Sequence, residues 1–392
     1  MIYALPLLAG ILSDRLVGHR NALQFGCLLA ILGNILLTIA GHSLFFLGLA
    51  IAIAGGAFIK NNTAFLVGSL YDSNEKFKEA GFTWLYLAVN VGGTLGPVCY
   101  GLVAYHIGWH FIFLTSAGGI ALSAGLFFLM RKHLVADRQT CSLSTYFLMA
   151  LACGGLAIPF CYPILLDPFL ILIFVTGLMY FKKIQRSQKK QSRQRLWALF
   201  MLCFFGLFYY AAGMQIGSTI TVFIQTKIAA GLLPSRLPGS AFSSLYTLFV
   251  LLLAPVLTKM WALLKRNNID IFVSYKLALG IFLAACGMGC FSAATTVSTH
   301  LLLLIVLGNA LLSAGELVLT PSIYTAIYND SPKEMKGTMM GYWLFFVAIG
   351  SYVSSILARI FSASFIEVAV FTGVIALCTV VVSPTLKRML SA

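Results

Sequence analysis

Charged side chains are scarce in this sequence, and acidic ones are the scarcest. Only 9% of the 392 residues are charged and eleven are Asp or Glu, whereas hydrophobic residues make up 60% and the mean hydropathy is +0.95. Soluble domains carry about 25% charged residues, so an ordinary soluble globule is excluded. About 20 apolar residues span a bilayer, and thirteen apolar runs can be counted along the chain. We therefore predict an all-α polytopic membrane protein.

The sequence also lacks the patterns of enzymes and metal proteins. Its nine cysteines lie almost entirely inside apolar runs and form no Cys-x-x-Cys spacing, so we expect neither disulfides nor a metal site. No nucleophile and base pair, no metal-ligand spacing and no nucleotide-binding loop can be recognised. The sequence therefore predicts a protein that is not an enzyme and has no cofactor.

The net charge of +15 comes mainly from short connectors between apolar runs. The longest connector, 182–195, holds seven Lys or Arg residues and no acid. When the thirteen runs cross the membrane alternately, the basic connectors and the C-terminus fall on one side, which the positive-inside rule makes cytoplasmic. We expect a monomer in the lipid bilayer of a bacterial inner membrane, without a nucleic-acid partner. A lipid or nucleic-acid site in 182–195 is the alternative.

Two charges fall deep inside apolar runs. Lys60 lies near the middle of 43–71, and Glu316 lies at mid-depth of 299–328. A charge at the centre of a membrane helix costs roughly 2.5–3.5 kcal/mol on insertion scales, so such residues indicate function by default. The alternatives are a lysine that snorkels to the interface and a buried salt bridge that joins two helices. The opposite charges suit a zwitterion whose carboxylate binds Lys60 and whose ammonium binds Glu316.

Prolines and aromatic residues also lie inside the apolar runs. Pro97 and Pro321 lie inside apolar runs, where each frees backbone groups that are tolerated beside a cavity. The neighbouring glycines equally fit close helix packing. Several aromatic residues are candidates to line a cavity, although each taken singly is more often in contact with lipid or a neighbouring helix: Tyr86, Tyr209, Tyr210, Tyr246, Trp343 and Phe345.

Several segments resemble signatures of the proton-coupled oligopeptide transporter family of the major facilitator superfamily. GGAFIKNNTAFLVGSLYD followed by EAGFTWLYLAVNVGGTLGP, over 55–97, resembles its Phe-x-Lys-Pro-Asn signature and the helix after it. SDRLVGHR resembles the Gly-x-x-Ala-Asp-Arg-x-x-Gly signature. SAGELVLTP and GTMMGYWLFFVAIGS resemble the tenth and eleventh helices, and 143–181 resembles the helix pair that many bacterial members insert. The resemblance gives Asp14 and Arg15 gating or structural roles, which we also predict for Pro97 and Pro321 from their places inside apolar runs.

The resemblance implies a major facilitator fold with a first bundle at 1–131, an inserted helix pair and linker at 132–195, and a second bundle at 196–392. It implies import of di- and tripeptides, driven by the proton gradient through alternating access, at a mid-membrane site between the bundles. Lys60 matches the fourth-helix lysine of the binding and coupling site, and Glu316 matches the tenth-helix glutamate that binds the peptide amino group. The other substrate-binding candidates are Tyr3, Asn90 and Gln215, on the resemblance, and the aromatic Trp343.

The sequence departs from the family pattern in several places. It begins partway through the second helix, so the first helix with its Glu-x-x-Glu-Arg motif has no counterpart, and we expect a truncated reading frame or a degenerate relative. Asn61 replaces the family proline after Lys60, and Met214 stands where some members have an acid. Two alternative functions stay open. One is transport of another solute such as nitrate, which Glu316 would repel, and the other is a non-transporting structural or partner-binding paralogue.

Overall fold

The computed structural model describes residues 5–39, 42–72, 77–130, 142–155, 158, 161–162, 165–233, 239–269, 271–297, 299–360 and 364–391. Every regular element in these ranges is helical. The α-helices are α1 Pro6–Leu12, α2 His19–Ile39, α3 His42–Leu70, α4 Lys78–His106, α5 Phe111–Met130, α6 Leu143–Gly155, α7 Leu166–Ser187, α8 Lys190–Gly213, α9 Thr219–Ala229, α10 Gly239–Arg266, α11 Val273–Thr296, α12 Leu301–Asp330, α13 Lys336–Ile360 and α14 Phe365–Ser391.

Nine helical segments in the described ranges are long and apolar enough to cross a bilayer. They correspond to nine of the thirteen apolar runs counted in the sequence, and α8 and α9 together form one of them. The prediction of an all-α polytopic membrane protein is confirmed. Crossings by the remaining runs, 1–12, 80–105, 143–164 and 169–181, stay a prediction.

The chain forms two compact units. The first comprises Met1–Lys78, Leu95–Arg193 and Ser331–Phe345, and the second comprises Glu79–Thr94, Gln194–Asp330 and Phe346–Ala392. Inside the second unit, α11 packs along α12 and α14. The predicted boundaries near residues 131 and 195 stay a prediction.

Glycines set the closest approaches between helices. In the first unit a Cβ added at Gly33 of α2 would overlap the backbone of Ala52 in α3. In the second unit a Cβ at Gly315 of α12 would lie 2.6 Å from the carbonyl oxygen of Gly280 in α11. Such small-residue contacts are the usual way in which membrane helices pack without a hydrophobic driving force.

The polar segment 13–21, which separates the first two apolar runs of the sequence, is helical on both sides of Gly18. Ser13–Val17 forms one π-helical turn, closed by the 3.0 Å bond from the Gly18 amide to the Ser13 carbonyl. The chain then turns at Gly18, whose φ of +80° suits glycine, and α2 begins at the next residue. The polarity of this segment therefore reflects hydrogen bonds to other helices, described below, rather than an irregular connector.

Two other segments are more regular or less regular than their sequence indicates. The basic linker 182–195 is almost wholly helical, because α7 continues to Ser187 and α8 begins at Lys190. Conversely, the apolar run at 196–226 is not one helix. It is interrupted by the 3₁₀ turn Met214–Gly217 between α8 and α9.

Candidate functional site

The Glu316 carboxylate lies at the midpoint of α12, as the sixteenth of its 30 residues. The residue is 7% exposed. The Tyr210 hydroxyl of α8 donates a 2.9 Å hydrogen bond to Glu316 Oε1 and lies 3.0 Å from Thr320 Oγ1. In the part of the chain that the structure describes, the partners of this carboxylate are hydroxyl groups rather than cations. Its negative charge is thus held by neutral donors.

Three more tyrosines of the second unit are connected to this group of residues, either directly or through another tyrosine. Tyr86 of α4 interacts with the Glu316 carboxylate and packs on the cluster of Val250, Ala254 and Leu317. The Tyr209 hydroxyl donates a 2.6 Å bond to the Leu312 carbonyl and lies 3.4 Å from the Tyr246 hydroxyl. The structure therefore brings together four of the six aromatic candidates, which the sequence could treat only one by one.

Lys60 lies in α3 of the first unit and is partly buried. The two residues after it are completely buried. Asn62 donates 2.8 Å to the Phe58 carbonyl, and its Oδ1 lies 2.8 Å from His19 Nδ1. Asn61 has no hydrogen-bond partner for either side-chain atom among the described residues. The polar stretch around the candidate lysine is thus inside the fold of its unit.

Asp14 joins the π-helical turn to the start of α13. Its carboxylate accepts hydrogen bonds from the Gly337 amide at 3.1 Å, the Thr338 amide at 2.5 Å and the Thr338 hydroxyl at 2.6 Å. His19 Nε2 lies 3.0 Å from the same carboxylate. The first amides of a helix lack intrahelical acceptors and the helix dipole favours an anion there, so Asp14 caps α13. The neighbouring Arg15 guanidinium lies 5.2 Å from the ring centroid of Tyr180.

The remaining substrate-binding candidates lie in different parts of the structure, and their roles stay predictions. Tyr3 lies outside the described residues. Asn90 donates 2.9 Å to the carbonyl of Tyr86 in its own helix. Gln215, on the 3₁₀ turn that separates α8 from α9, is 1% exposed and donates 2.9 Å to the carbonyl of Ser354 in α13. Trp343 is buried in the first unit.

The two prolines with predicted gating or structural roles lie inside helices. Pro97 is within α4, and Pro321 is within α12, which continues to Asp330. Neither ends its helix.

In the described part of the chain, no group of three or more His, Cys, Asp or Glu residues could hold a metal ion.

An ion pair in the second unit was missed by the sequence analysis. Lys276 of α11, whose side chain is 8% exposed, donates to both oxygens of Glu79 in the first turn of α4, at 2.6 and 2.9 Å. Ser322 of α12 donates 2.6 Å to Glu79, and the Lys276 ammonium lies 4.5 Å from the ring centroid of Trp261 in α10. The available signal was a lysine four residues inside an apolar run. We call these four residues the Glu79 cluster.

Comparison with known proteins gives concordant matches. Residues 20–156 and 164–374 match the family model PTR2, described as the POT family. Peptide transporter YePEPT of Yersinia enterocolitica subsp. palearctica is 25% identical over 91% of this chain and 76% of its own length. Dipeptide and tripeptide permease A of Chromobacterium violaceum is 23% identical over 99% of this chain and 84% of its own length.

Solved structures give the same result for the fold. A crystal structure of peptide transporter POT in complex with sulfate has a TM-score of 0.72 and 25% identity, covering 99% of this chain and 85% of that one. A POT family transporter in complex with 5-aminolevulinic acid has a TM-score of 0.74 and 22% identity, covering 98% and 86%. The predicted major facilitator fold is confirmed by these neighbours.

Proposed function

Since the chain belongs to the POT family, whose members are transporters rather than enzymes, we propose that it imports di- and tripeptides together with protons. The chain is an integral membrane protein, and we place it in a bacterial inner membrane as a monomer with its basic connectors and C-terminus in the cytoplasm. The proton gradient drives the transport, and no cofactor takes part.

The observation that carries the proposal is the environment of Glu316. A carboxylate at the midpoint of an apolar helix, hydrogen-bonded to tyrosine hydroxyls rather than to a cation in the described residues, can also accept a hydrogen bond from an ammonium group. The amino terminus of a short peptide supplies such a group. The same carboxylate disfavours a small anion such as nitrate, because burial strengthens the repulsion between like charges. Peptide import therefore fits this site better than anion transport.

Lys60 supplies the opposite charge in the proposed mechanism. With no substrate present, the Lys60 ammonium is neutralised by a carboxylate. Protonation of that carboxylate frees Lys60 to bind the peptide C-terminus, while Glu316 binds the N-terminus. With both ends of the zwitterion paired, less charge is left unpaired and the transporter can change to its other open state by alternating access.

Uptake into proteoliposomes tests this mechanism. With an inward proton gradient, the wild-type protein is expected to accumulate a labelled dipeptide, and Lys60→Ala is expected to abolish accumulation. Lys259→Ala is the matched control, because Lys259 is an exposed lysine of α10 and its loss leaves both proposed charges in place. Normal accumulation by Lys60→Ala would reject the mechanism. If unlabelled nitrate competed in this assay and unlabelled dipeptide did not, the substrate would be an anion rather than a peptide.

A further inference from the structure

We infer that Tyr210 is a positioning residue for Glu316 and thereby makes the protein selective for peptides with a free amino terminus. The inference rests on the proposed function and adds a role that the sequence did not indicate. Tyr210 belongs to α8, whereas Glu316 and Thr320 lie one turn apart on α12. A hydrogen-bonded chain thus starts on α12, passes through one residue of α8 and returns to α12.

The directions of these hydrogen bonds follow from proton counting. An ionised carboxylate only accepts, and a phenol has a single proton to donate. The Tyr210 proton therefore points to Glu316 Oε1, across 2.9 Å. In the 3.0 Å contact between Tyr210 and Thr320, the threonine hydroxyl must then be the donor. The chain runs from Thr320 through Tyr210 to Glu316 and fixes one carboxylate oxygen.

Burial makes this arrangement effective. Glu316, Tyr210 and Thr320 are 7%, 6% and 2% exposed, respectively, so bulk water competes weakly for their hydrogen bonds. A glutamate side chain has several rotatable bonds, and ordering it during binding reduces affinity. A carboxylate already held through Oε1 has its second oxygen oriented before the ligand arrives. The ligand's ammonium therefore binds a prearranged acceptor.

Of the two adjacent tyrosines of α8, only Tyr210 donates a side-chain hydrogen bond to Glu316, which Tyr86 of α4 also contacts. Tyr209 has a similarly buried ring that meets the ring of Tyr210 edge-on at 5.2 Å. Its hydroxyl, however, donates to the backbone carbonyl of Leu312. Tyr209 thus connects α8 with α12 through the backbone, whereas Tyr210 reaches the ionisable side chain. Removing the Tyr210 hydroxyl is therefore expected to lower the affinity for peptides with a free amino group more than the affinity for peptides without one.

The test compares the affinities of Ala-Ala and N-acetyl-Ala-Ala for the purified full-length protein. Wild-type protein is expected to prefer the free-amine peptide. Tyr210→Phe is expected to raise the Kd for Ala-Ala about tenfold, the typical effect of losing a hydrogen bond to a charged group. The Kd for the acetylated peptide is expected to stay within about twofold, because that peptide has no ammonium for Glu316 to bind. The preference for the free amine therefore shrinks.

A second variant tests the same chain from its other end. Thr320→Val removes the donor to Tyr210 and is expected to reduce the preference in the same direction, whereas Thr320→Ser keeps the hydroxyl and restores it. This pair decides the question if Tyr210→Phe does not fold. Tyr342→Phe is the matched control, since it removes a buried phenol hydroxyl that donates 2.7 Å to the Gly177 carbonyl. The control is expected to keep the wild-type ratio.

Two results would overturn the inference in different ways. An unchanged ratio of the two affinities in both Tyr210→Phe and Thr320→Val would reject the positioning role and leave peptide transport standing. Wild-type protein that binds neither peptide would reject the proposed function and the inference with it.

Discussion

The Glu79 cluster predicts that two single substitutions, one at each end of its ion pair, lower the stability of the protein by different amounts. Glu79→Gln leaves the Lys276 ammonium 8% exposed and in contact with the Trp261 ring, without its anion. Lys276→Met leaves the Glu79 carboxylate 30% exposed and still hydrogen-bonded to Ser322. Leaving the more buried of the two charges without its partner costs more free energy of folding. Glu79→Gln should therefore destabilise the protein more than Lys276→Met.

The magnitudes follow from the burial of the two charges. Removing one partner of a buried ion pair costs about 3–5 kcal/mol, and we expect about 3 kcal/mol for Glu79→Gln. Water and Ser322 reach Glu79, so about 1–2 kcal/mol is expected for Lys276→Met. The double variant removes both charges and should be more stable than Glu79→Gln by about 2 kcal/mol.

Thermal unfolding in detergent is the assay. The unfolding entropy of roughly 2.1 cal/mol/K per residue gives about 0.8 kcal/mol/K for this chain, so 3 kcal/mol lowers the midpoint by ~4 °C. Lys259→Met, at an exposed lysine of α10, is the control and should shift it by less than about 1 °C. A double variant less stable than both single variants, or a larger loss for Lys276→Met than for Glu79→Gln, would refute the reasoning.

Three further predictions concern the elements around the proposed site. Asp14→Asn should lower stability by about 1–2 kcal/mol in the same unfolding assay, because it weakens the cap of α13; an unchanged midpoint would contradict this cap. Gly315→Ala should lower the midpoint and the dipeptide affinity together, since a Cβ at Gly315, the residue before Glu316, would push on Gly280 of α11. Gly289→Ala, with nothing within 4 Å, should be tolerated; equal effects of both would contradict the packing argument. Gln215→Leu should cost about 0.5–1.5 kcal/mol by removing the side-chain hydrogen bond to the Ser354 carbonyl of α13; wild-type stability would show that this bond is dispensable.

The sequence was sufficient for the class of protein and for the depth of its two isolated charges. Long apolar runs can do little in water other than aggregate, so composition alone indicates membrane helices. Lys60 and Glu316 stand out because each is the exception within such a run. These inferences depend on a residue's own segment, which the sequence shows directly.

Contacts between distant segments could not be read in this way. The carboxylate of Glu316 is joined to Tyr210 across 106 positions, and Lys276 is joined to Glu79 across 197. Periodicity does not specify which faces of two apolar helices meet, because the hydrophobicity is similar all around each helix. The tyrosines were therefore recognisable as candidates but not as one group.

The segment around Asp14 shows a second limit. Its sequence is polar and lies between two apolar runs, as a surface connector would, but Asp14 bonds to the first turn of α13 across 323 and 324 positions. A polar run in a membrane protein can contact either solvent or the end of another helix, and the local sequence is the same in both cases. Only the tertiary structure distinguishes them.

The central claim is that Lys60 and Glu316 bind opposite ends of one peptide. The most direct measurement is the affinity of wild-type, Lys60→Ala and Glu316→Gln proteins for Ala-Ala, its N-acetyl form and its C-terminal amide. The account predicts that Lys60→Ala abolishes only the preference for a free carboxylate and that Glu316→Gln abolishes only the preference for a free amine. If each variant kept both preferences, or if both variants lost the same one, the account would be contradicted.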